Sequence, residues 1–392
     1  MRTQKMGLNS THLIRSFNAV SVLQTLYREG SVSRARLTEV TKMSPATITR
    51  IIAELIEQRV IIEERIGESN GGRRPIILRL NYDQLFVVGV QILRDRVALA
   101  ISDIKGKMIV KKVFQQYSLE PDSLFNEISV ELESLLKNAR IDKEYLLGVG
   151  IAIAGIVDSE NGVLMRSVNL GWRDVEVAEK LEKLLNIPVF VENDANAAAL
   201  AEMWFGGAKE TSSMMYIQTT SGVGSGIIYD RRLLTGSRGM AGEIGHIPLF
   251  ANGQLCRCGQ RGCLETYLYL PDVMRRYTER TGTVLENDST IFKAAANGDM
   301  VAQLMIAEAI EALSVSISWA EVILDLEMVI IGGVWGRIDD FYLGQIKSRL
   351  QGVLERGGIT KSVIIKGSEL GEDSDLLGAV GLVTNEWFTP PI

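Results

Sequence analysis

The chain is sparing with the residues that most often carry chemistry. Its 392 residues include three cysteines and two histidines. So few cysteines leave no room for a disulfide-stapled scaffold. No apolar run looks long enough to span a bilayer, since the best stretch, Val322–Val334, is broken by Asp325 and Glu327. The N-terminus, MRTQKMGLNSTH, lacks the apolar core of a secretion signal, so the protein is expected in the cytoplasm. Reduced thiols reserved for a metal fit that compartment. The remaining composition, 46% hydrophobic and 23% charged, is that of an ordinary globular protein, and the length suggests two or three domains.

What chemistry there is sits in one window, Gly242–Glu265. All three cysteines (Cys256, Cys258, Cys263) and one histidine (His246) fall inside it. Three thiolates and an imidazole are the donor set of a closed tetrahedral zinc site. Gly253, Gly259 and Gly262 allow the tight turns that bring closely spaced ligands onto one ion. The bland alternative is a chance cluster of buried free thiols. Arg257, Gln260 and Arg261, interleaved with the cysteines, are not core composition. The spacing differs from the common zinc fingers, so this window is not expected to read DNA. Glu243 and Glu265 flank the ligands, and a metal that pins the loop also pins both carboxylates, a rigid pair suited to hydroxyl-rich ligands.

E-x-G-H followed by C-x-C-G-x-x-G-C-x-E resembles the signature of the ROK family of sugar kinases and sugar-responsive repressors. The resemblance implies an actin-like ATPase fold of two α/β lobes. It implies about one structural zinc per chain, held by His246, Cys256, Cys258 and Cys263. It also places Glu243, His246 and Glu265 against a sugar.

The net charge of −6 hides an asymmetry. Residues 1–80 hold 13 of the 42 basic and 7 of the 48 acidic residues, giving +6 and leaving −12 for the remainder. A basic head on an acidic body points to a polyanionic partner. Within the head, His12–Glu29 reads as a helix, with His12 at its surface. Ser33 is placed to cap a short helix to about Thr41, and Ser44 with Pro45 to start another to about Gln58. Two helices joined by a tight turn suggest a helix-turn-helix, the second presenting Ser44, Ala46, Thr47, Thr49 and Arg50 to a major groove. Val60–Glu64 and Pro75–Leu80 read as strands of a wing whose tip carries Arg73 and Arg74 between Gly71, Gly72 and Pro75. A solvated hairpin tip is the plain reading of such a pair, and the basic head favours a minor groove instead. ROK repressors carry such a head, and ROK sugar kinases do not.

After the head, Leu85–Ile92, Val97–Ile101 and Met108–Val113 read as a three-strand meander. The pattern returns at Met214–Thr219, Ser225–Tyr229 and Leu233–Leu234. In each copy a Gln near the end of the first strand precedes an Asp near the end of the second by twelve residues: Gln91 and Asp103, Gln218 and Asp230. Such a weak repeat is what a duplicated two-lobed fold should show. Helices are expected at Ser123–Ala139, Val175–Leu185, Leu270–Thr281 and Ala302–Val322, and further strands at Leu147–Ile153, Pro188–Val191 and Met328–Gly333. At Asn193-Asp194 a polar pair follows a buried strand. It can cap the next helix, Ala197–Met203, or face a ligand at the strand's carboxyl end. In the resembled kinases the matching aspartate is the base that takes a sugar proton and the asparagine binds the sugar. For a repressor Asp194 would be a vestigial base.

The family's first phosphate loop reads D-x-G-G-T-K. Here the matching stretch is Gln91-Ile92-Leu93-Arg94-Asp95-Arg96, without the magnesium-side carboxylate or the glycines. Phosphoryl transfer rests on positioning and charge neutralisation, so these losses should abolish it. The second loop, Thr220–Gly226, keeps its glycines, which also suit a plain hairpin. The expected organisation is a winged helix-turn-helix (1–80), a first lobe (81–195, joined by a last helix within 375–392) and a second lobe (196–374). The expected function is a transcriptional regulator that binds operator DNA and a sugar effector. A homodimer is expected, with Ala302–Val322 a candidate contact helix. The alternatives are a sugar kinase carrying an added DNA-binding head, and a repressor controlled by a protein partner. The C-terminal Trp387–Ile392, ending in prolines, offers no amphipathic anchor.

Overall fold

The computed structural model describes residues 17–65, 76–116, 118–287, 289–338, 340–358 and 363–389. In the head, helices α1 (Phe17–Glu29), α2 (Arg34–Thr41) and α3 (Pro45–Glu57) pack around Val20, Leu23, Leu26, Leu37, Ile48, Ile51, Ile52 and Leu55, all buried. The caps form as the sequence suggests. Ser33 Oγ accepts from Arg36 N–H and Ser44 Oγ from Thr47 N–H, each at 3.2 Å, supplying partners that the first turn of a helix lacks. Strands β1 (Val32–Ser33), β2 (Ile61–Arg65) and β3 (Ile76–Leu80) form an antiparallel sheet in the order β1-β3-β2, the frame of a wing. The wing tip, with Arg73 and Arg74, lies outside the described residues, as does His12.

The body is built twice. In the first copy β4 (Phe86–Ile92), β5 (Arg96–Asp103) and β6 (Met108–Gln115) form an antiparallel meander. Helix α4 (Pro121–Ala139) leads to β7 (Leu146–Ile153), which runs parallel to β4. After three short strands, β8 (Ile156–Asp158), β9 (Val163–Ser167) and β10 (Trp172–Val175), come α5 (Val177–Leu185) and β11 (Val189–Asn193). The sheet order is β11-β7-β4-β5-β6. In the second copy α6 (Asp194–Trp204) leads to β12 (Met214–Gln218), β13 (Gly224–Tyr229) and β14 (Arg232–Leu233). A run of helices follows: α7 (Glu265–Leu268), α8 (Leu270–Thr281), α9 (Thr290–Ala296) and α10 (Met300–Leu324). The chain then adds β15 (Met328–Ile331), α11 (Asp340–Arg356), β16 (Ile364–Gly367) and α12 (Ser374–Phe388). That sheet runs β14-β13-β12-β15-β16. Each sheet is a meander followed by two further strands on the side of the meander's first strand, so the repeat in sequence is a repeat in topology.

The small β8–β10 sheet was not legible beforehand, because its strands are three to five residues long and mixed in polarity. A second difference concerns α10. By length and composition this helix could cross a membrane, which corrects the expectation that no segment qualifies. Its apolarity serves the core. Met305, Ile306, Ala309, Leu313 and Ile317 are buried among β15, α8 and α9 residues, and 56% of its most apolar window is enclosed. The described chain divides into two compact units, residues 1–192 with 379–392 and residues 193–378.

Candidate functional site

The metal window folds as a series of turns. Leu255 bridges Arg261 and Pro248 bridges Cys263 in antiparallel fashion. Cys256 N–H donates to Gln260 O at 2.8 Å and Gly259 N–H to Cys256 O at 2.9 Å. Gly262 has φ +73°, and a Cβ there would overlap the Phe250 carbonyl, so only glycine fits. These turns bring His246 Nδ1 to 3.7 Å from Cys256 Sγ and Cys258 Sγ to 3.7 Å from Cys263 Sγ, and the four donor atoms lie within 4.8 Å of one another. A tetrahedral zinc with Zn–S of about 2.3 Å and Zn–N of about 2.0–2.1 Å has donor–donor edges of roughly 3.6–3.8 Å. The three thiols are free, and 3.7 Å is far beyond a disulfide bond of about 2.05 Å. Burial, with the neighbouring thiols, pushes Cys263 up to about 12. Thiols crowded in this way become thiolates only with a cation beside them, and the donor set fits a metal.

Two carboxylates are fixed by the same loop. Glu243 opens the turn that ends at His246, and burial raises its pKa. Glu265 starts α7 two residues after Cys263 and is 5% exposed. Its carboxylate accepts from Arg257 Nη2 at 3.1 Å and from Val223 N–H at 3.3 Å, while the Arg257 guanidinium lies 4.8 Å from the centre of the Tyr269 ring.

The third carboxylate is Asp194, the first residue of α6. The capping reading of Asn193 is realised: its Oδ1 accepts from Ala195 N–H at 2.9 Å and Asn196 N–H at 3.2 Å. The helix therefore begins at Asp194, three residues earlier than expected. Asp194 is buried, and its pKa is pushed up to about 7 by burial first and then by Asp375 and Glu243, against the opposing N–H of Ala195. Asp375, in the first turn of α12, was not singled out in the sequence. Nothing local marks it, because its neighbour Gln218, whose Nε2 donates to Asp375 Oδ1 at 2.8 Å, lies 157 residues away. Arg257 was likewise noted only as a non-core residue. Asp194, Asp375, Glu243 and Glu265 thus form a chain of carboxylates in electrostatic contact beside the metal loop.

The glycines of the second loop have a packing reason here. A Cβ on Gly226 would meet the Ala195 carbonyl at 2.5 Å, and one on Gly222 would meet Glu265 Oε2 at 3.0 Å. On the facing loop, Gly242 and Gly245 lie against the Ser225 and Val223 carbonyls. These glycines let β13 and the metal loop close on the first turn of α6. In the first loop the turn is shut: Leu93 N–H donates to Arg96 O at 3.0 Å, and the Asp95 carboxylate pairs with Arg96 at 3.0 Å. Gln91 lies in strand β4.

In the head, Ser44, Ala46, Thr49 and Arg50 are exposed and Thr47 is half-buried. Arg50 pairs with Glu54 at 3.2 Å, and Thr49 Oγ1 donates to Pro45 O at 2.8 Å. The Ser44 hydroxyl is engaged as the cap of α3.

The ROK family model matches residues 87–386. The chain is 28% identical over 97% of its length, and 98% of the other's, to a xylose repressor of Caldicellulosiruptor bescii. Among solved structures, a ROK family transcriptional regulator described as a homologue of the Escherichia coli MLC protein superposes with a TM-score of 0.85 at 25% identity, covering 96% of this chain and 97% of that one. A ROK hexokinase from Thermus thermophilus superposes with a TM-score of 0.67 at 27% identity, covering 97% of its own length but 76% of this chain. The fold is a winged helix-turn-helix followed by the actin-like α/β body, and the chain belongs to the ROK family.

Proposed function

We propose that this protein is a transcriptional repressor of carbohydrate genes that binds operator DNA through residues 1–80 and a sugar effector through Asn193, Asp194, Glu243, His246 and Glu265. The observation that carries this over a kinase is the shut first turn. Leu93 N–H is already bonded to Arg96 O, and the turn carries the Asp95 carboxylate, paired with Arg96, in place of the family's glycines and threonine. The full-length match to a regulator, beside a hexokinase match that leaves about a quarter of the chain uncovered, supports the same reading.

In this reading zinc is held by His246, Cys256, Cys258 and Cys263 and holds Glu243 and Glu265 in place. The body divides near residues 195 and 375 into its two lobes. Ala46, Thr47, Thr49 and Arg50 face the major groove, with Arg73 and Arg74 in a minor groove. The protein acts in the cytoplasm as a homodimer on paired half-sites. Its effector is a neutral aldose, since four neighbouring carboxylates against Arg257 disfavour an added anion. D-xylose is the first to test, from the name of the Caldicellulosiruptor relative. The experiment is a thermal-shift panel of aldoses and their phosphates, followed by titration of a duplex selected by the protein from a random library, with and without the stabilising aldose. An aldose that stabilises the protein and changes its DNA affinity is expected. Phosphorylation of any of the aldoses by ATP would overturn the reading in favour of a kinase.

A further inference from the structure

Helix α12 is one continuous helix of 15 residues, Ser374–Phe388, about 22 Å long at about 1.5 Å per residue. Its two ends have different surroundings. At its start, Asp375 is buried, bonded to Gln218 and in electrostatic contact with Asp194. Ser374 Oγ lies 3.2 Å from the Tyr216 hydroxyl, a second tie to strand β12. One turn on, Gly378 lies so close to α6 that a Cβ would come within 2.4 Å of the Ala197 backbone. A displacement of the first turn of α6 therefore has no slack to absorb it before it reaches α12.

The other end meets the head. Phe388 is buried at 2% exposure, and its ring lies 4.9 Å from that of Tyr27 in α1. Its carbonyl accepts a hydrogen bond from Gln24 Nε2 at 2.6 Å. In the middle, a Cβ on Gly150 of β7 would overlap the Ala379 carbonyl, so the helix rests directly on the strand. A stiff rod held this closely can shift along or about its axis as a body, and bends with difficulty.

We propose that α12 is the element that couples the effector site to the DNA-binding head, carrying a shift of Asp194 and Asp375 to the contact of Phe388 with Gln24 and Tyr27. The inference rests on the effector reading of Asp194 given above. It supplies what that reading leaves open, a single element that touches the neighbourhood of Asp194 at one end and α1 at the other. Gln24 and Tyr27 lie on α1, away from the recognition helix, so they can be changed without touching a DNA-facing side chain.

The test uses full-length wild type, Gln24→Ala, Tyr27→Leu and Phe388→Leu. Binding of D-xylose, or of whichever aldose in the panel stabilises the protein, is measured by calorimetry. The Kd for the selected duplex is measured with and without that aldose. Wild type is expected to change its duplex Kd by about fivefold or more on aldose addition. The three variants are expected to bind the aldose as wild type does, while that ratio falls towards one. Gln24→Ala removes a single half-buried hydrogen bond, which keeps the test decisive should Phe388→Leu fail to fold. Variants that keep the wild-type ratio overturn the inference and leave the effector reading standing. A wild type that binds no aldose at all overturns the effector reading, and the inference with it.

Discussion

Asp194→Asn should make the protein more stable, but only above the pH at which the aspartate ionises in the unfolded chain. In the unfolded chain the carboxyl titrates near its ordinary 3.8, and in the folded protein burial, with Asp375 and Glu243 nearby, moves it to about 7. The native state thus holds its proton more tightly than the unfolded state. Relative stability is fully present below about pH 4 and is lost as the pH rises to about 7. At about 1.4 kcal/mol per unit, the cost above pH 7 is on the order of 4 kcal/mol at most, shared with the carboxylates it titrates with. Asparagine has the same shape, can still accept from Ala195 N–H through its Oδ1, and carries no charge to desolvate. If half of the cost is relieved, the transition that melts residues 193–378 should rise by about 4–8 °C at pH 8. At pH 4, close to the unfolded value of 3.8, the side chain is neutral in the folded protein and largely protonated in the unfolded chain, and the variant should melt within about 1–2 °C of wild type. Scanning calorimetry of both proteins at both pH values reads the difference directly, and metal loss at low pH cancels in the comparison. A variant destabilised at pH 8, or stabilised equally at the two pH values, would show that Asp194 is not a strained buried carboxyl.

Four further outcomes are expected. Elemental analysis of protein purified without added metal should find about one zinc per chain, and Cys258→Ser should lose it; a metal-free folded protein that still binds the aldose removes the metal from the account. Gly262→Ala, which forces a Cβ into the Phe250 carbonyl, should lose zinc as completely as a ligand substitution, whereas retention would mean the loop can shift. Glu243→Ala and Glu265→Ala should leave duplex affinity at the wild-type value and abolish the aldose effect, as titrations with and without aldose will show. Arg73→Ala and Arg74→Ala should each flatten the slope of log affinity against log salt by about 0.9 if each arginine neutralises a phosphate; an unchanged slope would make the wing tip a solvated hairpin.

Much of this protein is written locally. The cluster of His246, Cys256, Cys258 and Cys263, which could hold a metal ion, was legible because its members lie within eighteen residues, with glycines at the intervening turns. The helix-turn-helix was legible because capping is a short-range interaction. Ser33 and Ser44 each bond three residues on, and Pro45 fixes the first turn of α3. The duplicated sheets showed through because each copy opens with a consecutive meander, and strands that follow one another in sequence pair most readily.

Tertiary structure decided the rest. Asp194 carries no sequence mark of a raised pKa, because the burial and the Asp375 carboxylate that produce it are brought by a helix about 180 residues on. The glycines of the second loop looked like half a phosphate cradle, and packing against Ala195 and Glu265 gives them another reason, since close approach is invisible until the facing backbone is in place. No apolar run was expected to be long enough for a bilayer, with Val322–Val334 the best stretch, and α10 is long and apolar enough by composition, which does not say whether lipid or a protein core covers a helix. Sequence alone fixed which side chains the chain could use and the local turns that present them. The electrostatic environment of each carboxylate, and the helix whose ends meet Asp194 and the head, depended on contacts between residues far apart in the chain, which only folding brings together.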